Sequence, residues 1–174
     1  MHRPIHRIRW LLPLALPSQW TAPSGEPVRV ALLQGNLPQL IKWTPQGQVQ
    51  AANVYRDLTR SLEKEDIDLV VWPEAALPMF EQEARPFLER VKQDHLPGNA
   101  DLLTGILQRD REGLYYNSVI GVGNVEGQYR KAHLVPFGEY LPLERWLRGA
   151  IAFFDLPMPA MTPGNANPAP VRAA

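Results

Sequence analysis

The stretch Asp68-Leu69-Val70-Val71-Trp72-Pro73-Glu74 decides the fold, because it predicts a short buried strand that ends just before a carboxylate. Its apolar run contains β-branched and aromatic side chains, which favour strands. Pro73 cannot donate a hydrogen bond to a sheet, and it restricts Trp72 to extended geometry. We therefore expect Glu74 just past the C-terminal end of a strand.

Patterns on both sides of this stretch predict strands that alternate with amphipathic helices. Thr44 is a plausible N-cap with Pro45 at the first helical position. The predicted elements are a buried strand over 28–33, a helix over 45–64, a strand over 68–72, a helix over 79–94, strands over 102–107 and 115–122 joined by the polar turn 109–113, and a short strand that reaches residue 130. The order β-α-β-α-β-β-β indicates an α/β fold whose mostly apolar strands are buried on both faces.

Composition bounds the class of protein. The 174 residues suffice for one domain, and 45% hydrophobic with 21% charged residues is typical of a globular chain. Lys and Arg together number 18, as do Asp and Glu, so the net charge of 0 gives no drive toward nucleic acid, and we expect no nucleic-acid partner. The chain contains no cysteine, which excludes disulfides and thiolate metal sites within it.

The N-terminal segment resembles the start of a signal peptide, since arginines at positions 3, 7 and 9 precede the apolar stretch 10–16. Pro13 and Pro17 leave that stretch far short of the ~20 apolar residues that a membrane-spanning helix needs. Three interpretations stay open: a frayed tail, which composition favours, an interfacial segment anchored by Trp10 and Trp20, or the end of a longer hydrophobic helix. We place a flank and linker over 1–27 and a domain over 28–174.

Glu74 and Lys131 are candidate chemical groups because each follows a predicted strand. Alone, each has a plainer interpretation: Glu74 as a structural or solvated carboxylate, and Lys131 as a solvated charge at a sheet edge. Together they gain weight, since open α/β sheets assemble their sites where strands end. A lysine near a glutamate can keep the carboxylate ionised and can donate to a developing oxyanion.

The segment after Lys131 contains further candidates. Gly138 beside Phe137 predicts a tight turn that aims Glu139 at a chosen place. His133 is interpreted as a core histidine, or one that supports the site from behind, in preference to a catalytic one. No second histidine or carboxylate lies near His133 at the spacing of metal ligands, so we expect no metal.

These residues carry a family resemblance. Trp72-Pro73-Glu74, followed downstream by the run from Tyr129 to Leu134, resembles the nitrilase or carbon–nitrogen hydrolase superfamily. Segments of the chain also resemble the membrane-bound branch of this superfamily, the apolipoprotein N-acyltransferase family. These segments are 35–38, 42–43, 116–118 and 133–142. The resemblance runs from about Val28 to the C-terminus, and segment 10–20 is similar to the branch's junction between a transmembrane helix and its periplasmic catalytic domain.

The resemblance implies a nitrilase-like α-β-β-α sandwich and a Glu-Lys-Cys triad. Glu74 matches its general base, Lys131 its oxyanion-stabilising lysine, Glu139 a second essential carboxylate, and Trp43 a functional tryptophan, although Trp43 could also be plain core. The family's cysteine comes later than Ala174. We therefore expect a fragment whose sandwich is incomplete at the C-terminus and which is inactive alone.

The resemblance also implies the activity of the parent enzyme. It transfers an acyl chain from a phospholipid to the N-terminal amine of a diacylglyceryl-cysteine lipoprotein, through a thioester, without a metal or an organic cofactor. The implied partners are a phospholipid donor, a diacylated lipoprotein acceptor and the membrane surface. The implied location is the bacterial inner membrane, with residues 1–27 next to the bilayer and the catalytic domain on the periplasmic side.

Substrate contact is assigned to Trp43, Tyr140, Phe153 and Phe154. The last two belong to an apolar segment interrupted by prolines, and our hypothesis is that this segment is a mobile lid against acyl chains. A loop that packs over the core is an equal alternative. For the whole chain, the alternatives are a soluble amidase or nitrilase-type hydrolase and a non-catalytic remnant that lacks the thiol.

Overall fold

The computed structural model describes residues 21–140 and 160–173, which form a mixed sheet with two long helices packed on it. Within these residues the elements are β1 (Val30–Leu32), α1 (Gln39–Lys42), α2 (Pro45–Arg60), β2 (Leu69–Val71), β3 (Leu77–Phe80), α3 (Glu81–Asp94), β4 (Asp101–Arg109), β5 (Tyr115–Val122) and β6 (Gln128–Arg130). The predicted α/β class is confirmed, with a short helix α1 that the sequence pattern did not indicate.

Strand order is β1-β2-β4-β5-β6, and β3 pairs with β4 beyond the end of β2. β1, β2 and β4 run parallel, whereas β4–β5 and β5–β6 pair antiparallel, so the predicted hairpin-like pair is confirmed. Val70 is opposite Leu102, which is opposite Val122, and all three are buried. β2, β4 and β6 therefore point the same way, and their C-terminal ends lie at one edge of the sheet.

Helix α2 forms where the sequence predicts it, because Thr44 caps it and Pro45 occupies the first helical position. The Gly47 N–H donates to Thr44 Oγ1 at 3.1 Å. The buried residues of α2 recur every four positions and so form one stripe against the sheet: Gly47, Ala51, Tyr55 and Thr59. The helix ends at Arg60 rather than at Lys64, since turns occupy residues 61–64.

Trp72 ties β2 to both long helices. Its ring stacks on Tyr55 of α2 with ring centroids 5.0 Å apart, and it lies 6.4 Å from the ring of Phe87 in α3. The Trp72 indole N–H donates to Thr59 Oγ1 at 3.2 Å, so its one polar atom is satisfied inside the core. The residue just before Pro73 and Glu74 is thus immobilised by tertiary packing.

The burial of the strands differs from the prediction in two ways. β1 is an edge strand with Leu32 77% exposed, because apolar character predicts burial but does not say which strand lies at the edge. β5 alternates buried and partly exposed residues, so it is buried on one face and not on two. An antiparallel strand at this position needs only one covered face.

The second helix begins two residues later in the structure than the sequence predicts. Met79 and Phe80 belong to strand β3, and α3 starts at Glu81. The helical spacing of apolar residues hid this short strand, which pairs with the outer part of β4. The Phe80 N–H donates to the Glu83 carboxylate at 3.3 Å, which marks the true helix start.

Several expectations fall on other parts of the chain. Most of the flank 1–27 lies outside the described residues, as do Phe153 and Phe154 of the proposed lid. Within residues 21–140 and 160–173, no helix combines the length and the apolar character needed to cross a bilayer.

Candidate active site

Glu74 and Lys131 come together at the edge of the sheet where β2 and β6 end. Glu74 lies three residues after β2, and Lys131 directly follows β6. The Lys131 Nζ is 3.0 Å from Glu74 Oε1. Two groups that are 57 residues apart in the chain therefore form an ion pair at one site.

Glu139 completes a three-charge cluster. Lys131 Nζ lies 3.1 Å from the Glu139 carboxylate, so one ammonium bridges two carboxylates. The side-chain amide of Asn117 donates to the same two partners, at 2.5 Å to Glu74 and 2.9 Å to Glu139. Asn117 belongs to β5. The Asn117 backbone carbonyl also accepts the Lys131 backbone N–H at 2.7 Å.

The loop 135–139 holds the Glu139 carboxylate in place. The Val135 N–H donates to Glu139 Oε2 at 2.8 Å, and the Glu139 N–H donates to the Val135 carbonyl at 2.9 Å. The predicted tight turn is present, but Phe137 and not Gly138 takes the left-handed conformation, with φ of 63°. A phenylalanine in that region is strained, and this strain is typical of functional loops.

The pKa values reflect this mutual stabilisation. Burial alone would lower the pKa of Lys131, but hydrogen bonds and charge from Glu74 and Glu139 raise it. Burial alone would raise the pKa of Glu139, but hydrogen bonds from Asn117 and Val135 and the Lys131 ammonium lower it. Both groups are therefore charged at neutral pH.

Glu74 and Glu139 differ in accessibility. The Glu74 side chain is 62% exposed, whereas that of Glu139 is 16% exposed. Both hydrogen bonds to Glu74 reach Oε1, and no donor within the described part of the chain bonds Oε2. Glu74 Oε2 is therefore open to accept a proton, while Glu139 is enclosed by its partners.

A cavity of about 390 Å³ lies over the cluster. Glu74, Lys131 and Glu139 line it together with Trp43 and Lys42 from the end of α1. Its other lining residues are Gln39, Ala75, Leu107, Asn117, Val135, Gly138 and Met161. The structure thus brings four of the predicted site residues to one cavity.

Three other expectations fare differently. Tyr140 is not among the cavity-lining residues, and its carbonyl accepts the Phe137 N–H at 2.8 Å. His133 is exposed, so its interpretation as a core histidine is wrong. Phe153 and Phe154 lie outside the described residues.

Sequence reasoning assigned no role to Asn117 and Lys42, although both belong to segments that carried the family resemblance. Asn117 is a polar residue inside an apolar strand, on the face opposite the buried Tyr116 and Ser118. That break in the pattern is the available signal. In the part of the chain that the structure describes, no three His, Asp or Glu side chains gather as a metal site would require.

Gly105 of β4 allows the chain around Glu74 to approach the sheet. A Cβ atom at this position would lie 2.5 Å from the Pro73 carbonyl oxygen and 2.6 Å from Glu74 Cα. The neighbouring Ala75 has φ of 46°, so the turn after β2 is already strained. These obstructing atoms belong to the backbone, which cannot rotate away.

We expect Gly105→Ala to destabilise the fold by about 1–3 kcal/mol through overpacking. Urea unfolding followed by tryptophan fluorescence measures this loss. Gly138→Ala is the matched control, because its added Cβ would meet nothing nearer than 3.6 Å. Equal unfolding midpoints for Gly105→Ala and the unsubstituted chain would contradict the prediction.

Fold and site together define a class: α/β proteins in which a glutamate and a lysine from separate strand ends meet with a second carboxylate. The family model for carbon–nitrogen hydrolases matches residues 29–164. The chain therefore belongs to the carbon–nitrogen hydrolase family. The fold is also similar to the crystal structure of a carbon–nitrogen hydrolase from Helicobacter pylori G27, with a TM-score of 0.53 at 19% identity over 80% of this chain and 45% of that one.

Curated relatives are more similar in sequence. The apolipoprotein N-acyltransferase of Pseudomonas aeruginosa PAO1 is 46% identical over 153 residues, which are 85% of this chain and 29% of the relative. The enzyme of that name from Methylococcus capsulatus is 39% identical over 158 residues, 90% of this chain and 31% of the relative. The chain thus spans about three tenths of the length of these relatives.

Proposed function

We propose that this chain supplies the base and the oxyanion-binding lysine of an apolipoprotein N-acyltransferase. The observation that carries the proposal is the Lys131 ammonium held between Glu74 and Glu139, with Glu74 Oε2 open. The names of the relatives support the same activity. The donor is a phospholipid and the acceptor is the N-terminal amine of a diacylated lipoprotein at the periplasmic side of the bacterial inner membrane. Residues 1–27 form the membrane-proximal flank in this proposal.

The mechanism requires a cysteine thiol, and the 174 residues contain none, so polypeptide outside them supplies it. Glu74 Oε2 takes the thiol proton, and the thiolate attacks the ester carbonyl carbon. A C–S bond forms, and the carbonyl electrons move onto oxygen. Collapse of this intermediate breaks the ester C–O bond, and Glu74 returns the proton to the departing lysophospholipid alkoxide. A thioester remains.

The second half of the reaction uses Glu74 and Lys131 in the same roles. The lipoprotein amine attacks the thioester carbonyl, and Glu74 takes a proton from nitrogen. The C–S bond breaks as the amide forms, and Glu74 gives that proton to the departing thiolate, which restores the thiol. Lys131 stabilises the oxyanion in both halves. An ammonium has three N–H donors, and the carboxylates of Glu74 and Glu139 occupy two of them. The third N–H is available to the oxyanion.

A chimera tests the proposal. Residues 29–164 replace the matched segment of the Pseudomonas aeruginosa relative, and the chimera is supplied with phospholipid and a diacylated lipopeptide. Mass spectrometry follows the triacylated product. We expect acyl transfer within about tenfold of the unmodified relative, since one tenfold step is only about 1.4 kcal/mol of transition-state energy. A folded chimera that releases free fatty acid, or that hydrolyses small amides without acylating the peptide, would reject the proposal in favour of a hydrolase.

A further inference from the structure

Helix α1 presents two polar side chains to the cavity. The proposed acyl-transfer steps assign neither of them a role. Gln39 and Lys42 both line the cavity, and their spacing of three places them on one side of the helix. Within residues 21–140 and 160–173, neither side chain has a hydrogen-bond or ion-pair partner. An ammonium and an amide are thus both available as donors on the same wall.

This wall is held firmly. Thr44 Oγ1 donates to the Ile41 carbonyl at 2.7 Å and accepts the Gly47 N–H at 3.1 Å, which joins the end of α1 to the start of α2. A side chain at position 47 would collide with the Ile41 carbonyl, so glycine there lets the two helices touch. The backbone of α1 that carries these two donors is therefore held by the fold before any ligand arrives.

Lys42 is a half-buried cation, and the charges and rings around it offset only part of the cost of removing it from water. Burial lowers the pKa of Lys42, and the charge of Glu74 acts in the opposite direction. The ring centroid of Trp43 lies 5.9 Å from Lys42 Nζ, near the outer limit of a cation–π contact. A partly desolvated ammonium without a close counter-charge costs free energy, which an anionic ligand would recover.

Charge also orients such a ligand. Glu74, Glu139 and Lys131 together carry a formal charge of −1, so an anion is repelled from that cluster and attracted to the α1 wall. The ester of the same ligand is uncharged, so the net negative charge of the cluster does not repel it from Lys131. The cavity therefore distinguishes an anionic end from an ester end.

We propose that Gln39 and Lys42 form a subsite for the phosphodiester of the phospholipid acyl donor, an inference that rests on the proposed function. The glycerol backbone carries both the reacting ester and the phosphate, so one molecule can place its ester at Lys131 and its phosphate at α1. The subsite selects phospholipid over neutral glyceride as the donor.

Direct binding tests the subsite without turnover. The chain is titrated with dihexanoyl phosphatidylglycerol below its micelle concentration and, separately, with dihexanoylglycerol, which lacks the phosphate. The NMR signal of the Trp43 indole reports both dissociation constants. Because a charge-assisted hydrogen bond is lost, we expect Lys42→Met to raise the Kd for the phospholipid about tenfold. The Kd for dihexanoylglycerol should not change.

Two further variants sharpen the test. Lys42→Arg keeps the charge and should keep phospholipid binding, and Lys64→Met removes an exposed lysine beyond α2 and should have no effect. An equal loss of affinity for both lipids in Lys42→Met, no loss for either, or no saturable phospholipid binding by the unsubstituted chain would each overturn the subsite. If the chimera transfers no acyl chain but the Kd pattern holds, the proposed function fails, and Gln39 and Lys42 remain a phospholipid-binding site that serves no acyl donor. An active chimera with an unchanged Kd in Lys42→Met rejects only the subsite.

Discussion

Replacing Glu74 by glutamine is expected to lower acyl transfer by the chimera about a thousandfold, the middle of the range for loss of a general base. Glutamine preserves the size of the side chain, and its carbonyl oxygen can still accept the Asn117 and Lys131 donors that now reach Oε1. It cannot take a proton at the position of Oε2. The substitution therefore removes the base and leaves the surrounding contacts largely intact.

The rate of thioester formation in a single turnover measures this effect, with hydroxylamine used to trap the acyl group. Glu89→Gln is the control, because Glu89 is an exposed glutamate on α3, away from the cavity. A rate within threefold of the unsubstituted chimera would show that Glu74 is a structural or solvated carboxylate. That result would remove the base from the proposed mechanism.

The second large effect is expected for Trp72→Ala, which should lower the free energy of unfolding by about 3–5 kcal/mol, as large-to-small aromatic substitutions in cores do. Trp72 is 2% exposed and packs between Tyr55 and Phe87. Its loss leaves a cavity between β2 and both long helices. It also leaves the Thr59 hydroxyl without its indole donor.

Urea unfolding followed by circular dichroism measures the loss. Trp72→Phe keeps an aromatic ring but not the indole N–H, so it should cost less than the alanine variant. Val49→Ala is the surface control, since Val49 is 63% exposed and should change stability by less than about 0.5 kcal/mol. Equal stabilities of Trp72→Ala and Val49→Ala would show that Trp72 does not link the sheet to the helices.

The sequence predicted the elements whose causes are local. The Thr44 and Pro45 start signal placed the first residue of α2 correctly, and the apolar run 115–122 matched β5 at both ends. Two short elements, α1 and β3, were missed because their few residues carry no pattern distinct from that of the longer helices next to them. α1 has four residues, and β3 is a four-residue strand whose Met79 and Phe80 also fit the helical spacing of α3. Burial was misjudged for β1, since an apolar edge strand and an apolar central strand look alike in sequence.

The site followed the same division between local and tertiary causes. Pro73 stops β2, so a carboxylate just past a strand end could be expected for Glu74 from sequence alone. Its contact with Lys131 depends on β2 and β6 running parallel within one sheet. They do so because β2 pairs parallel with β4, and the two antiparallel pairs β4–β5 and β5–β6 return β6 to the direction of β4. Asn117 joined the site because β5 lies beside β6, and no local pattern encodes that neighbour relation.

The sequence by itself therefore determined where β5 and β6 stop, where helix α2 starts and which residue types follow, because caps, prolines and apolar periodicity act over a few residues. Only the tertiary structure decided that Lys131 bridges two carboxylates, that Glu74 keeps one oxygen open, and that Lys42 faces the same cavity. Those arrangements arise from pairings between residues far apart in the chain. The strand pairings of the sheet and the core packed against it bring these residues together, and no single segment encodes that arrangement.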